Sequence, residues 1–133
     1  MRKQNHIELL ADYLQEARSK AFEWGRHDCA TFAAGSVELI TGRHIEFQDL
    51  RGVRSSEEVI VALRKQSLKE RVTLILGPPI SVGLAKRGDI VLEESESERE
   101  ALGVCFGEFS FFLLPVGITP KPTLYCLRAW SVD

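Results

Sequence analysis

Cys29 stands directly after Asp28 in the stretch FEWGRHDCATFAAG, residues 22–35. A cysteine at the start of a helix can be a nucleophile. Its thiolate is the reactive form, a free thiol ionises near pH 8.5, and the positive end of a helix favours the anion. The thiolate still needs a base to take its proton and return it to the leaving group, and that base needs an orienting partner. His27 lies two residues before Cys29 and is the candidate base by covalent proximity alone. Asp28 reads as a helix N-cap, and a carboxylate beside a thiol opposes its ionisation. Buried cysteines are commonly inert, so Cys29 also fits a small apolar core residue.

The elements that would position these groups are legible from periodicity. Ile7, Leu10, Tyr13, Leu14 and Ala17 repeat at helical spacing and predict a first helix from about Asn5 to Lys20. Gly25 marks a turn. Cys29, Phe32, Ala33, Ser36, Val37 and Ile40 form one continuous helical face behind Asp28, and Gly42 is a C′-type stop. Ser55 with Glu58 three residues later predicts a capped third helix to about Gln66. LKERVTLIL fits a helix or a strand, and GPPISVGLAKRG reads as loop. The C-terminal half changes character. DIVLEE, ALGVCFG, FSFFLLP and TLYCLRAWSV are short, rich in β-branched or aromatic residues, and separated by Gly and Pro, as strands are. The charged run EESESERE is expected to be a solvated hairpin tip. Helices first and an antiparallel sheet afterwards predict an α+β fold.

Size and composition bound the function. The chain has 133 residues, the length of one domain, and residues 1–133 are read as a single unit. Its net charge of −2 without a basic stripe argues against nucleic-acid binding. No apolar run approaches the ~20 residues of a membrane span, and Glu8 and Asp12 interrupt the apolar part of the N-terminal segment, which makes it a poor signal peptide. Three cysteines without a CxxC pair point to reduced thiols rather than a disulfide framework. His27 and Cys29 lack the spacing of a structural zinc site, and neither a metal nor a cofactor is expected. Cys105 and Cys126 are expected in the core. Trp24 and Trp130 are expected as core or rim packing, and His6 and His44 as surface residues.

FEWGRHDCATFAA resembles the nucleophile segment of the NlpC-like cell-wall cysteine peptidases, compact relatives of papain. AKRGDIVL is similar to that family's Gly-Asp strand, and ALGVCFG, residues 101–107, resembles its strand of the form His-x-Gly-Ile-Tyr-x-Gly. The likeness runs over roughly residues 22–114. It implies a papain-like NlpC-type fold, with N-terminal helices packed on a C-terminal antiparallel sheet or half-barrel. It also implies that Cys29 takes the nucleophile position in a groove lined by Phe22, Trp24, Asp28, Ala101 and Gly103. The pattern FxWGxxDCxxFxA with RGDIV and a terminal RAWSV looks like small phage- and prophage-encoded proteins associated with tail assembly genes. That context implies phage tail proteins or peptidoglycan peptides as partners, in the bacterial cytoplasm or associated with the tail.

Two positions depart from the peptidases. Ala101 stands where the family carries its base, and alanine cannot accept a proton. The third polar position falls among Phe111, Phe112, Leu113 and Leu114, all apolar. Losing the base of a nucleophile–base pair costs orders of magnitude in rate. The expectation is an impaired or inactive cysteine peptidase homologue acting in tail assembly or as a binding module. The alternative is an active peptidase or amidase that cleaves peptidoglycan peptide stems with Cys29.

Overall fold

The computed structural model describes residues 1–47, 49–94 and 100–133. Four helices come first: α1 His6–Arg18, α2 Cys29–Thr41, α3 Ser56–Lys65 and α4 Leu68–Leu76. Five strands follow: β1 Ile90–Glu94, β2 Glu100–Cys105, β3 Phe109–Leu114, β4 Gly117–Pro122 and β5 Arg128–Trp130. They form one antiparallel sheet in the order β4-β3-β2-β1-β5. The α+β expectation holds at this level.

Three of the helices begin at a side-chain cap. Asp28 accepts from the Thr31 N–H, Ser55 from Glu58 and Ser67 from Glu70. These bonds satisfy donors that a helix start leaves without intrahelical partners. Ser67 also resolves LKERVTLIL as the helix α4. At the other end of α2, Gly42 turns left-handed with φ 78° and donates to the Glu38 carbonyl. That conformation is strained for residues with a Cβ.

Both faces of the central strands are buried, which explains their nearly unbroken apolar runs. Ile90, Leu92, Leu102, Val104, Leu113 and Trp130 join the main core with Leu10 and Leu14 of α1 and Phe32, Val37 and Ile40 of α2. Val91, Ala101, Cys105, Phe112 and Ala129 alternate with them and form a second, smaller core with Cys126. The loop after α4 covers this second face through Ile80, Val82 and Ala85. Trp130 is fully buried and its indole N–H donates to Thr73 Oγ1 at 3.2 Å.

One strand expectation needs correction, and one strand was not foreseen. TLYCLRAWSV is not one strand: Thr123–Tyr125 forms a single 3₁₀ turn, and only Arg128–Trp130 pairs in the sheet. GITPKP, which carries two prolines, is instead the edge strand β4, with Pro120 opposite Phe111 and Pro122 opposite Phe109. Proline cannot donate to a ladder and is tolerated at an edge because one side of the strand has no partner. β1 and β2 pair in a register that brings Glu94 opposite Glu100. The run EESESERE, expected as a solvated hairpin tip, begins and ends in strands: Glu93 and Glu94 belong to β1 and Glu100 to β2, and Glu93 is buried, while residues 95–99 lie outside the described residues. No helix among the described residues is long and apolar enough to cross a membrane.

The Gly-Asp pair before β1 has a structural task. Asp89 is buried and its carboxylate accepts from the Lys86 N–H at 2.9 Å, the Val132 N–H at 3.0 Å and Arg2 Nη2 at 2.7 Å. Arg2 also donates through Nε to the Val132 carbonyl at 2.7 Å. One carboxylate therefore joins residues from the first and last segments to the head of β1. Removing one partner of a buried ion pair leaves the other charge uncompensated, at a cost of roughly 3–5 kcal/mol. Asp89→Ala is expected to lose stability on that scale, read as a fall in the urea midpoint. A loss under 1 kcal/mol would show that Arg2 and Val132 are held independently of Asp89.

Candidate functional site

The turn before α2 is built by one carboxylate. Asp28 Oδ1 accepts from the Thr31 N–H at 3.0 Å, and Oδ2 accepts from the Gly25 N–H at 2.8 Å. In return the Asp28 N–H donates to Thr31 Oγ1 at 2.9 Å. Glu23 and His27 pair backbone to backbone across the turn. Gly25 has φ 77°, and a Cβ there would lie 2.5 Å from the Val53 carbonyl oxygen, so only glycine fits the close approach. Phe22 and Trp24 leave this turn in an edge-to-face pair, ring centres 4.7 Å apart.

These residues form one wall of a cleft of about 250 Å³. Cys29 lies on that wall and Ala101 of β2 on another, with Leu113 and Leu114 of β3 beside it. α3 closes the far side through Val59, Ile60 and Leu63. The structure thus brings together Phe22, Trp24, Asp28, Cys29 and Ala101 as the sequence suggested. Gly103 is not at the wall. A Cβ on it would come within 2.6 Å of the Phe112 ring, so its role is to let that ring lie flat against β2.

His27 does not join Cys29, which corrects its candidacy as the base. Its Nε2 lies 3.2 Å from the Ala17 carbonyl oxygen, and its ring lines a separate depression with Tyr13, Glu16 and Phe32. The backbone pairing of Glu23 and His27 sends the two side chains of the His27–Asp28 dipeptide to different sides. His6 bonds the Lys3 carbonyl, and His44 sits exposed between Glu38 and Glu46, whose carboxylates raise its pKa. None of the chain's three histidines lines the cleft.

Burial pushes the Cys29 thiol up to about 11, and the Asp28 charge adds to the rise against partly offsetting backbone hydrogen bonds, chiefly from Leu102. The helix start therefore does not activate this sulfur. The N-cap carboxylate that completes α2 also brings negative charge to the place where the helix end would have favoured a thiolate. Cys105 and Cys126 are buried in the second core, as expected, and burial with the Glu93 charge raises Cys126 to about 11.

Among the cleft residues missed from the sequence, Glu93 and Lys121 form an ion pair. Glu93 is 8% exposed and lies opposite Ala101 in the β1–β2 register. Its Oε1 accepts from Lys121 Nζ of β4, while Oε2 is buried without a hydrogen-bond partner. Glu93 follows Val91 by two residues, so strand alternation puts it on the same inward face. That signal was present in DIVLEE, masked by a second glutamate beside it. Lys121 had no local signal, because GITPKP does not read as a strand. Among the described residues no group of three or more His, Cys, Asp or Glu side chains is arranged to hold a metal ion.

The arrangement can enclose a small apolar group beside the Glu93–Lys121 ion pair, with Asp28 and Glu100 also on the wall. It holds no group placed to take a proton from Cys29 among the described histidines. Modification of Cys29 by iodoacetamide, followed by peptide mass mapping, is expected to accelerate with pH up to near 11, because the raised pKa leaves the neutral thiol dominant at pH 7. A rate that levels off below pH 8 would show an activated thiolate.

The family model described as "Domain of unknown function (DUF6950)" matches residues 1–132. A comparison with curated proteins finds no match. With nearly its whole length inside that match, the chain belongs to the DUF6950 family.

Proposed function

We propose that this protein is a binding module on a papain-like, NlpC-type scaffold whose nucleophile position has fallen out of catalytic use. The observation that carries the reading is the pairing of Cys29 with Ala101 across a cleft that no histidine lines. The NlpC-type assignment is supported by a helix that opens on Asp28–Cys29 and packs on an antiparallel sheet, in the chain order that the sequence likeness implies. A neutral thiol in a cleft that no histidine lines supports the loss of hydrolysis, since the nucleophile and its base act as a unit. The place of action is phage tail assembly, where the module holds a tail component or a peptidoglycan peptide. This context rests on the resemblance of FxWGxxDCxxFxA, RGDIV and RAWSV.

The retained Asp28–Cys29 pair at the cleft wall favours one competing reading, an amidase or peptidase acting on peptide stems. The two separate on a single substitution. Purified protein is expected to leave muropeptides intact, with wild type and Cys29→Ala indistinguishable by chromatography of the products. Cys29→Ala is also expected to support tail assembly as well as wild type in a complementation assay. Cleavage of muropeptides that Cys29→Ala abolishes would overturn the binding reading.

A further inference from the structure

The cleft carries more than apolar walls. Asp28, Glu93, Glu100 and Lys121 all line it, an excess of negative charge among the described residues. Two of the three carboxylates are held by backbone N–H groups. Asp28 holds the turn and α2 through both oxygens. Glu100 accepts from the Leu68 N–H through Oε2 at 3.0 Å. Glu93 differs. Its side chain is 10% exposed, one oxygen is held by Lys121, and Oε2 is buried with no donor. A buried carboxylate oxygen left without a donor carries the full cost of its lost hydration.

We propose that the cleft is a binding site for a primary ammonium on an aliphatic stem, with the Glu93 carboxylate as its counter-charge. The inference rests on the reading of the cleft as a binding site. Lys121 displays the same chemistry within the chain, since its aliphatic stem delivers an ammonium to Oε1 of the same carboxylate. The stem of the ligand lies against Leu63 and Leu113, with Phe22 and Trp24 at hand for contact with the cation. A volume of about 250 Å³ is smaller than the ~300–1,000 Å³ of drug-sized pockets and suits a short unbranched chain. A carboxylate ligand would meet the negative excess, and a neutral alcohol would fill the apolar space without the charge-assisted bond.

The test is calorimetric titration of the intact protein with n-hexylammonium, n-hexanol and hexanoate, repeated on Glu93→Gln. n-Hexylammonium is expected to bind wild type about tenfold or more tightly than n-hexanol, as one hydrogen bond to a charged group allows, and hexanoate is expected not to bind. Glu93→Gln is expected to erase the preference for the ammonium. Equal affinity for ammonium and alcohol in wild type would overturn the proposal, and so would a preference that survives Glu93→Gln. If Glu93→Gln does not fold, NMR on wild type decides: shifts at the Trp24 indole and Leu113 methyls on adding n-hexylammonium support the site, and shifts confined elsewhere overturn it. A lysine peptide with both termini capped distinguishes the sources. Tighter binding than n-hexylammonium assigns the group to a partner's lysine, and weaker binding assigns it to a free amine; both support the site. Cys29-dependent hydrolysis would defeat the binding-module reading but leave the amine titration readable, so the two failures are separable.

Discussion

One carboxylate fixes where the helix α2 begins and, with it, where Cys29 can point. Asp28 bonds the turn through Gly25 and the helix through Thr31, and it is 4% exposed. A cap of this kind typically contributes about 1 kcal/mol to helix stability. Here it also couples the aromatic pair Phe22–Trp24 to the first turn of a core helix. The same charge works against ionisation of the adjacent thiol, whose burial already raises its pKa. Helix closure therefore opposes thiol activation through the charge of Asp28, although the sulfur has backbone hydrogen bonds of its own from Leu102 and the first turn of α2. An active cysteine site needs a nearby cation or imidazolium to reverse that balance, and no histidine is placed to supply one.

Around this turn the sheet is shaped by close contacts. Phe112 occupies the space that a side chain at position 103 would need, and Gly103 yields it. β2 can therefore present Ala101 to the cleft while burying Cys105 and packing Phe112 beneath. The buried Asp89 fastens the head of β1, next to β2, through Arg2 and Val132. Well-packed interiors respond to small volume changes, so these contacts help to set the cleft walls together with the Asp28 turn. Glu93 and Lys121 add a long-range ion pair. They bring charge to a largely apolar wall from two strands separated by β2 and β3.

Much of the fold was readable in advance because its signals are local. Period-3.6 apolar faces and Ser or Asp caps announced α1, α2 and α3. Gly42 marked the end of α2, and alternating or doubly buried apolar runs marked β1, β2 and β3. LKERVTLIL was undecided because its apolar residues suit either period. β4 was invisible because two prolines contradict strand propensity, and its place at the sheet edge, which tolerates them, is a property of the assembled sheet. TLYCLRAWSV looked like a strand throughout because its composition is right, yet chain direction changes within it at a 3₁₀ turn.

The cleft divides along the same line. The sequence by itself determined that Cys29 opens a helix behind a capping aspartate, and that Ala101 and the apolar run 111–114 offer no proton acceptor. These statements depend on residue identity and on short spacings along the chain. Tertiary structure alone decided that His27 turns toward Ala17 instead of the sulfur, that burial raises the thiol, and that Glu93 and Lys121 meet at the cleft. Side-chain direction at a turn, desolvation and an ion pair between residues 28 apart in sequence arise from packing across the whole fold. No window of neighbouring residues contains them.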